Sequence, residues 1–320
     1  MKLECKNLTF GYLKKPLLIS GASFVIKDKE KALLLAPGDS GKTSILKVLC
    51  GLNDLYFGTI NYDGKNLKSL ALKDLNLSLL LDPPVLFERK TVFDNLLYAC
   101  KIEEEKNKGK RLNRKELKVL KNAKSEEIDE KIATFLPNID KNCKIYKLSE
   151  DNKKLVSLAR MSVKKPQMLM IDALDKWPKN KFLTKYLQEK PCLCTASKVA
   201  NFPVQFDKIF YLSLGKFYEY QSIDELKNDR PDLLACYMFD DLSIVEGKIS
   251  LDESGYSLFV LDKKYKFSDK QVVSLENLKM ELYDECVVVL VSNENGKHVF
   301  ELLDNGCVNL YEKLTQEKIF

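Results

Sequence analysis

Along the first 60 residues, short apolar runs alternate with polar joints. "KLECKNLTFGY" (2–12) alternates as an edge strand would, "ASFVIK" (22–27) gives a second strand, and "KALLLAP" (31–37) is a continuous apolar run that suits a fully buried strand. After "GDSGKT" (38–43) the period lengthens. Ile45, Leu46, Val48 and Leu49 recur at helical spacing, and Gly51 is a natural stop. "GTINYDGKNL" (58–67) predicts a strand and an Asp-Gly turn. Residues 91–145 are mainly helical in composition. From 155, helix "LVSLARMSV", strand "QMLMID", helix "KFLTKYLQ" and strands "CLCTAS" and "KIFYLSL" alternate as in an α/β fold. Beyond 240 the pattern changes to short β runs. "SLFVLDKKYKF" and "CVVVLVSNENGKHVFELL" read as hairpins turning at Asp262-Lys263 and Asn295-Gly296, which predicts a small all-β domain.

Charge supports a boundary at the same place. Residues 231–320 carry 9 Lys/Arg against 17 Asp/Glu, whereas residues 1–230 carry 43 against 29. With 320 residues predicting about two domains, the division expected is 1–230 and 231–320, near "KNDRPDLL". The run 101–124 has ten basic and four acidic residues but no aromatic for base stacking, so a solvated helical or flexible insertion is preferred over a nucleic-acid contact. No apolar run reaches the ~20 residues that cross a bilayer, and "MKLECKNLTFGY" lacks the apolar core of a signal peptide. The nine cysteines include no CxxC pair and are expected to be reduced in a cytoplasmic protein. Cys192 and Cys194 share a strand face, but two thiols alone make a weak metal site.

The candidate chemistry begins at "LLLAPGDSGKTSIL" (33–46), which reads as strand, loop and helix. The phosphate-loop pattern G-x-x-x-x-G-K-[ST] needs glycines so that backbone N–H groups close around phosphate oxygens, a Lys for the β/γ-phosphates and a hydroxyl for Mg²⁺. Gly41, Lys42 and Thr43 fit, while Ala36 stands at the first glycine. "MLMID" (168–172) is an apolar run closing on Asp172, the way a buried strand delivers a metal-binding carboxylate to a sheet edge. Its next residue is Ala173.

The order of further segments is informative. "FGY" (10–12) precedes the loop. "LLLDPPVLFERKTVFDNL" (79–96), "KLSEDNKKLVSLARMSVKKPQMLMIDALD" (147–175), "CTAS" (194–197) and "FDKIFYLSLGKFYEYQSIDEL" (206–226) follow it. In this order and spacing the first 230 residues resemble the nucleotide-binding subunits of ABC transporters. The C-terminal part is similar to the accessory OB-type β domain of the maltose-transporter-like sugar importers. The resemblance implies a RecA-like P-loop ATPase core, a helical subdomain over about 83–150 and a C-terminal all-β domain. It also implies ATP and Mg²⁺ as cofactors. Tyr12 would stack on adenine, with an ordinary strand aromatic as the plain alternative. Gly38, Ser40, Gly41, Lys42, Thr43 and Ser44 would hold phosphate, and Thr43 and Asp172 would hold Mg²⁺. A groove around Val85, Leu86, Phe87 and Phe93 would take a permease helix.

Against that family pattern the departures concentrate in catalysis. Asp39 replaces a usual glycine and sets a carboxylate beside a triphosphate, which predicts weakened binding. Asp82 stands for the water-sensing Gln, Ala173 for the Glu that polarises water and Ala196 for the switch His. The signature Leu-Ser-Gly-Gly-Gln is "LSEDN", with Ser149, Glu150, Asp151 and Asn152, which also reads as a helix N-cap with acids in the first turn. Loss of a general base typically lowers rate by ~10²–10⁴-fold, and only Asp82 or Asp175 is at hand to substitute. The expectation is an ATP-binding subunit of an ABC importer, for carbohydrate, with hydrolysis lost or impaired. It would be paired with an intact ATPase subunit or a homodimer copy, peripheral on the cytoplasmic membrane face through permease subunits, and served indirectly by an extracytoplasmic binding protein. Two alternatives are a regulatory ABC-like protein that no longer binds nucleotide and an active ATPase using displaced acids.

Overall fold

The computed structural model describes residues 1–11, 17–55, 57–71 and 75–239, and five strands beyond them. In chain order these are β1 (Leu3–Gly11), β2 (Leu17–Ile26), β3 (Lys31–Leu35), α1 (Lys42–Leu49), β4 (Phe57–Tyr62), β5 (Lys65–Asn66) and β6 (Leu77–Leu80). Then come α2 (Val92–Lys108), α3 (Arg114–Phe135), α4 (Glu150–Lys164), β7 (Met168–Ile171), α5 (Lys181–Glu189), β8 (Cys192–Ala196), β9 (Lys208–Ser213) and β10 (Lys216–Tyr220). The chain continues through α6 (Ile223–Asp229), α7 (Leu233–Cys236), β11 (Leu242–Asp252), β12 (Gly255–Val260), β13 (Lys263–Lys266), β14 (Glu285–Val291) and β15 (Val308–Glu312). Met1–Glu219 and Tyr220–Phe320 form two compact units.

The first unit is α/β. Its six-stranded sheet runs β10-β9-β3-β8-β7-β6. β3 is parallel to β8 and β9, and β7 is parallel to β6 and β8. Every residue of β7 and β8 is buried, as is nearly all of β3. Strands covered on both faces have no polar side to alternate with, hence the continuous apolar runs in the sequence. A second, antiparallel sheet has the order β2-β1-β4-β5. Here the expected edge strand is corrected: β1 pairs with both β2 and β4 and lies inside its sheet. Its alternation, with Leu3, Cys5, Leu8 and Phe10 buried, records one covered face and carries no information about the number of neighbours. That face shares a core with α1 (Ile45, Leu46, Leu49) and with Leu34 and Phe210 of the parallel sheet. β4 and β5 are joined by the expected turn, with Asp63 (φ 48°) and Gly64 (φ 79°) both left-handed.

The basic run 101–124 is helical: it is the end of α2, a turn at Gly109 (φ 64°) and the start of α3. Asn113 caps α3 in a capping box with Glu116. Several of the lysines pair locally, Lys101 with Glu105, Lys108 with Glu104 and Lys110 with Glu116. Among the described residues no helix is long and apolar enough to cross a membrane.

In the second unit the described strands make one antiparallel sheet, β13-β12-β11-β14-β15. Val260 stands opposite Lys263, so Lys263 belongs to a strand and not to the turn where it was expected. The turn expected at Asn295-Gly296 and the chain's one histidine, His298, lie outside the described residues.

Seven described cysteines are free thiols, and all but Cys143 are buried. Burial pushes the Cys50 thiol up to about 12 and the Cys100 thiol to about 11. The thiolate is the reactive form. Brief iodoacetamide treatment of the native chain is therefore expected to label Cys143 at least ~10-fold faster than Cys5, Cys50, Cys100, Cys192 or Cys194. Peptide mass spectrometry checks this, and equal labelling in native and urea-unfolded protein would contradict the packing described.

Candidate functional site

Parallel strands present all their C-terminal ends at one edge, where ligands of open α/β sheets bind. Here β3 delivers the loop 36–43, β6 delivers Asp82, β7 delivers Asp172 and Ala173, and β8 delivers Ala196 and Ser197. Residues of all four segments border one cavity of about 690 Å³, with Lys42, Thr43, Asp82, Asp172, Ala173 and Ser197 on its wall.

The loop is shaped for a backbone cradle. Gly41 has φ 92°, a left-handed conformation that strains any residue with a Cβ, and a Cβ there would also press on the end of the Leu18 side chain, 2.8 Å away. Ala36 is buried at the end of β3 and is not at positive φ, so alanine occupies the first-glycine position without strain. Asp39 has φ 56°, a region that Asp tolerates better than most residues. It is exposed and borders the cavity. Lys42 Nζ donates to the carbonyls of Ala36 (2.8 Å) and Pro37 (2.6 Å). Burial pushes its ammonium below the usual range, while the carboxylates of Asp172, Asp175 and Asp39 act the other way.

Asp172 is 2% exposed and closes the site from β7. Its Oδ2 accepts from Thr43 Oγ1 at 2.6 Å and its Oδ1 from Thr195 Oγ1 at 2.8 Å. Thr195 Oγ1 in turn accepts the Ala173 N–H (2.9 Å), and Trp177 Nε1 donates to the Asp172 carbonyl (2.8 Å). Ala173 itself is left-handed, with φ 49°.

These residues fit a Mg²⁺–nucleotide. Thr43 and Asp172 bring two hard oxygen ligands together, the donor type Mg²⁺ takes. α1 begins with no side-chain cap, and its first helical bond is Ile45 N–H to Gly41 O, which leaves the N–H groups of Lys42 and Thr43 without helical acceptors. Ser40 Oγ is buried with no hydrogen-bond partner. Gly38 has open space where a side chain would be, and Ser44 is buried on the same wall.

The family profile described as ABC transporter matches residues 19–174. Residues 19–174 are an ABC transporter ATP-binding domain. Among curated relatives, the spermidine/putrescine import ATP-binding protein PotA of Mycoplasma capricolum subsp. capricolum is 29% identical over 170 residues, which cover 53% of this chain and 44% of that protein. The chain thus spans less than half the length of that relative. PotA of Haemophilus ducreyi is 23% identical over 301 residues, covering 90% of this chain and 77% of the relative. Among solved structures, a bacterial Atm1-family ABC exporter with ATP bound shares the fold, with TM-score 0.56 and 20% identity over 73% of this chain and 40% of that one.

The positions at which the family resemblance leads us to expect catalytic groups have other occupations. Asp82 faces two ammonium groups, Lys154 at 3.3 Å and Lys176 at 3.7 Å. Asp175 is absent from the cavity wall; its Oδ2 accepts the Ser197 N–H at 3.3 Å. Ala173 offers only a methyl group and a backbone already bonded to Thr195. Ala196 is fully buried, its carbonyl accepting the Ala36 N–H. Ser149 caps α4, its hydroxyl accepting from Asn152 N–H (3.3 Å), with Glu150 and Asp151 exposed in the first turn and Lys153 paired to Glu150. Tyr12 lies outside the described residues.

The expected docking groove is partly corrected. Val85, Leu86 and Phe87 line a cleft of about 320 Å³ with Tyr98, but Phe93 does not. Phe93 is buried in α2, with Lys121 and Lys141 over its ring. Thr195, Lys154, Lys176 and Trp177 escaped the sequence reading. Thr195 had a signal, a lone hydroxyl at the end of a wholly apolar strand, whereas the lysines had none in local spacing.

Thr195→Val removes both bonds of that hydroxyl and leaves the Ala173 N–H and one Asp172 oxygen without them. A loss of about 1–3 kcal/mol in urea unfolding is expected, with Thr195→Ser restoring most of it.

Proposed function

We propose that this chain is the nucleotide-binding subunit of an ABC importer in which Mg·ATP binding survives, weakened, and hydrolysis is lost or strongly impaired. The observation that carries the reading is the fate of the acids. Asp172, which would hold the metal, is kept in a full network. The position beside it is Ala173, Asp82 is held between two lysines, and Asp175 is off the cavity wall. Phosphoryl transfer needs a positioned water and charge stabilisation. This site supplies Lys42, Thr43 and Asp172 for the charge; of its other wall carboxylates, Asp82 is paired with lysines and Asp39 stands on the loop after β3, not beside Asp172 where the water would be polarised.

Import is supported by the PotA relatives, which are spermidine/putrescine import ATP-binding proteins, so a small polycation stands ahead of the carbohydrate expected from the resemblance. The cleft at Val85, Leu86 and Phe87 suits a permease helix, and such contacts would hold the chain peripherally at the cytoplasmic membrane face. The five antiparallel strands among the described residues suit an OB-type accessory domain, and we keep it at 231–320 and the nucleotide-binding domain at 1–230, with the division between compact units a little earlier, at Glu219/Tyr220. Glu150 and Asp151 already complement the α4 dipole. A phosphate on a second subunit would meet carboxylates there, which favours pairing with a different, intact ATPase subunit.

A fluorescent ATP analogue with Mg²⁺ is expected to saturate the chain below millimolar concentration, and Lys42→Ala to weaken it about tenfold or more. Phosphate release is expected to stay at the Lys42→Ala background. No saturation at millimolar ligand would instead favour the regulatory protein without nucleotide. Turnover above that background would restore an active ATPase working through a displaced acid.

A further inference from the structure

The cavity wall carries two lysines, Lys42 and Lys176, and three carboxylates, Asp39, Asp82 and Asp172. Asp172 is taken up by Thr43 and Thr195, and Lys42 by the loop carbonyls. Asp82 has two cations, and they are not equivalent. The Lys154 side chain is 8% exposed, and its Nζ also donates to the Lys176 carbonyl at 2.6 Å. One buried ammonium therefore satisfies Asp82 and pins the backbone at residue 176. The N–H of Lys176 is fixed as well, to the Ala173 carbonyl at 2.9 Å.

The Lys176 side chain is the opposite case. It is 61% exposed and 3.7 Å from Asp82, a separation at which water and salt screen the pair. If Lys176 swings away, Asp82 keeps Lys154. Lys176 is thus a long cationic arm on a rigid base, at the wall of a cavity whose other cation, Lys42, it repels. A polyanion between the two turns that repulsion into two attractions.

We propose that Lys176 is a second phosphate-binding lysine, which leaves Asp82 for the terminal phosphate of a bound nucleoside triphosphate and makes the site prefer ATP to ADP. This rests on the reading of the cavity as a nucleotide site. Lys42 approaches from the loop after β3, and Lys176 from the turn after β7, beside the residue that lost its carboxylate. A cation there strengthens binding of the terminal phosphate without activating water.

The test is calorimetric titration of the full chain with Mg·ATP and Mg·ADP, using the unmodified protein, Lys176→Gln, Lys176→Arg and Lys42→Ala. Lys176→Gln is expected to weaken ATP about tenfold, the scale of one charged phosphate contact, and ADP less than about twofold. Lys176→Arg should retain the preference, and the unfolding midpoint without nucleotide should not move. Equal losses for both nucleotides, or none, overturn the role of Lys176 while saturable binding leaves the nucleotide site standing. Failure of the unmodified chain to bind either nucleotide overturns both.

Discussion

The carboxylate of Asp172 ties the functional edge of the first unit together. It sits buried at the end of β7, where an ionised group without partners is strongly unfavourable. Its two oxygens take the hydroxyls of Thr43, from the loop and helix after β3, and Thr195, from the end of β8. Its own carbonyl holds Trp177. Three parallel strands are thereby set at one level at their C-terminal ends, and the phosphate loop is anchored against the turn that carries Ala173 and Lys176.

That dependence lets the edge hold its shape with alanines at two positions where catalytic side chains were expected. At Ala173 and Ala196, where the family resemblance leads us to expect catalytic side chains, the backbone is bonded: Ala173 N–H to Thr195, Ala196 carbonyl to Ala36. A methyl at such a position leaves no buried polar group orphaned. Asp82, by contrast, is a charge on the cavity wall, and it is accompanied by Lys154, a buried ammonium that would itself be unfavourable alone. The alanines leave the edge satisfied, and the wall carboxylate at residue 82 comes with its own cation.

What the sequence disclosed follows from how local each signal is. β3, β7 and β8 are legible because strands buried on both faces must be apolar throughout, and α1 because its apolar face repeats at helical spacing. Lys42 and Thr43 are legible because a phosphate loop closes within a few residues. The contacts of Asp82 are not, since Lys154 and Lys176 reach it from distant segments and only the folded sheet brings them together. The interior position of β1 escaped for a related reason: alternation reports a covered face, and hydrogen-bonded neighbours on both sides leave the same alternation as one. Ala36 is a motif mismatch at a position that is not at positive φ, so the backbone there does not call for glycine.

The α4 terminus carries the asymmetry furthest. A helix N-terminus attracts anions through its free N–H groups and dipole. Here Ser149 bonds one of those groups, and Glu150 and Asp151 place two carboxylates in the same turn. The attraction that a bare terminus would offer to a neighbour's phosphate is thereby reduced, and the approach is lined by like charge. In the proposed pairing, two copies of this chain would set that repulsion against both nucleotides, whereas one copy beside an intact subunit would set it against only one. The nucleotide in this chain's own cavity would then face the intact terminus, and Lys176 would add its charge from the opposite side. In such a mixed pair the acids that would set one copy of the chain against another would leave its own site the better-contacted half.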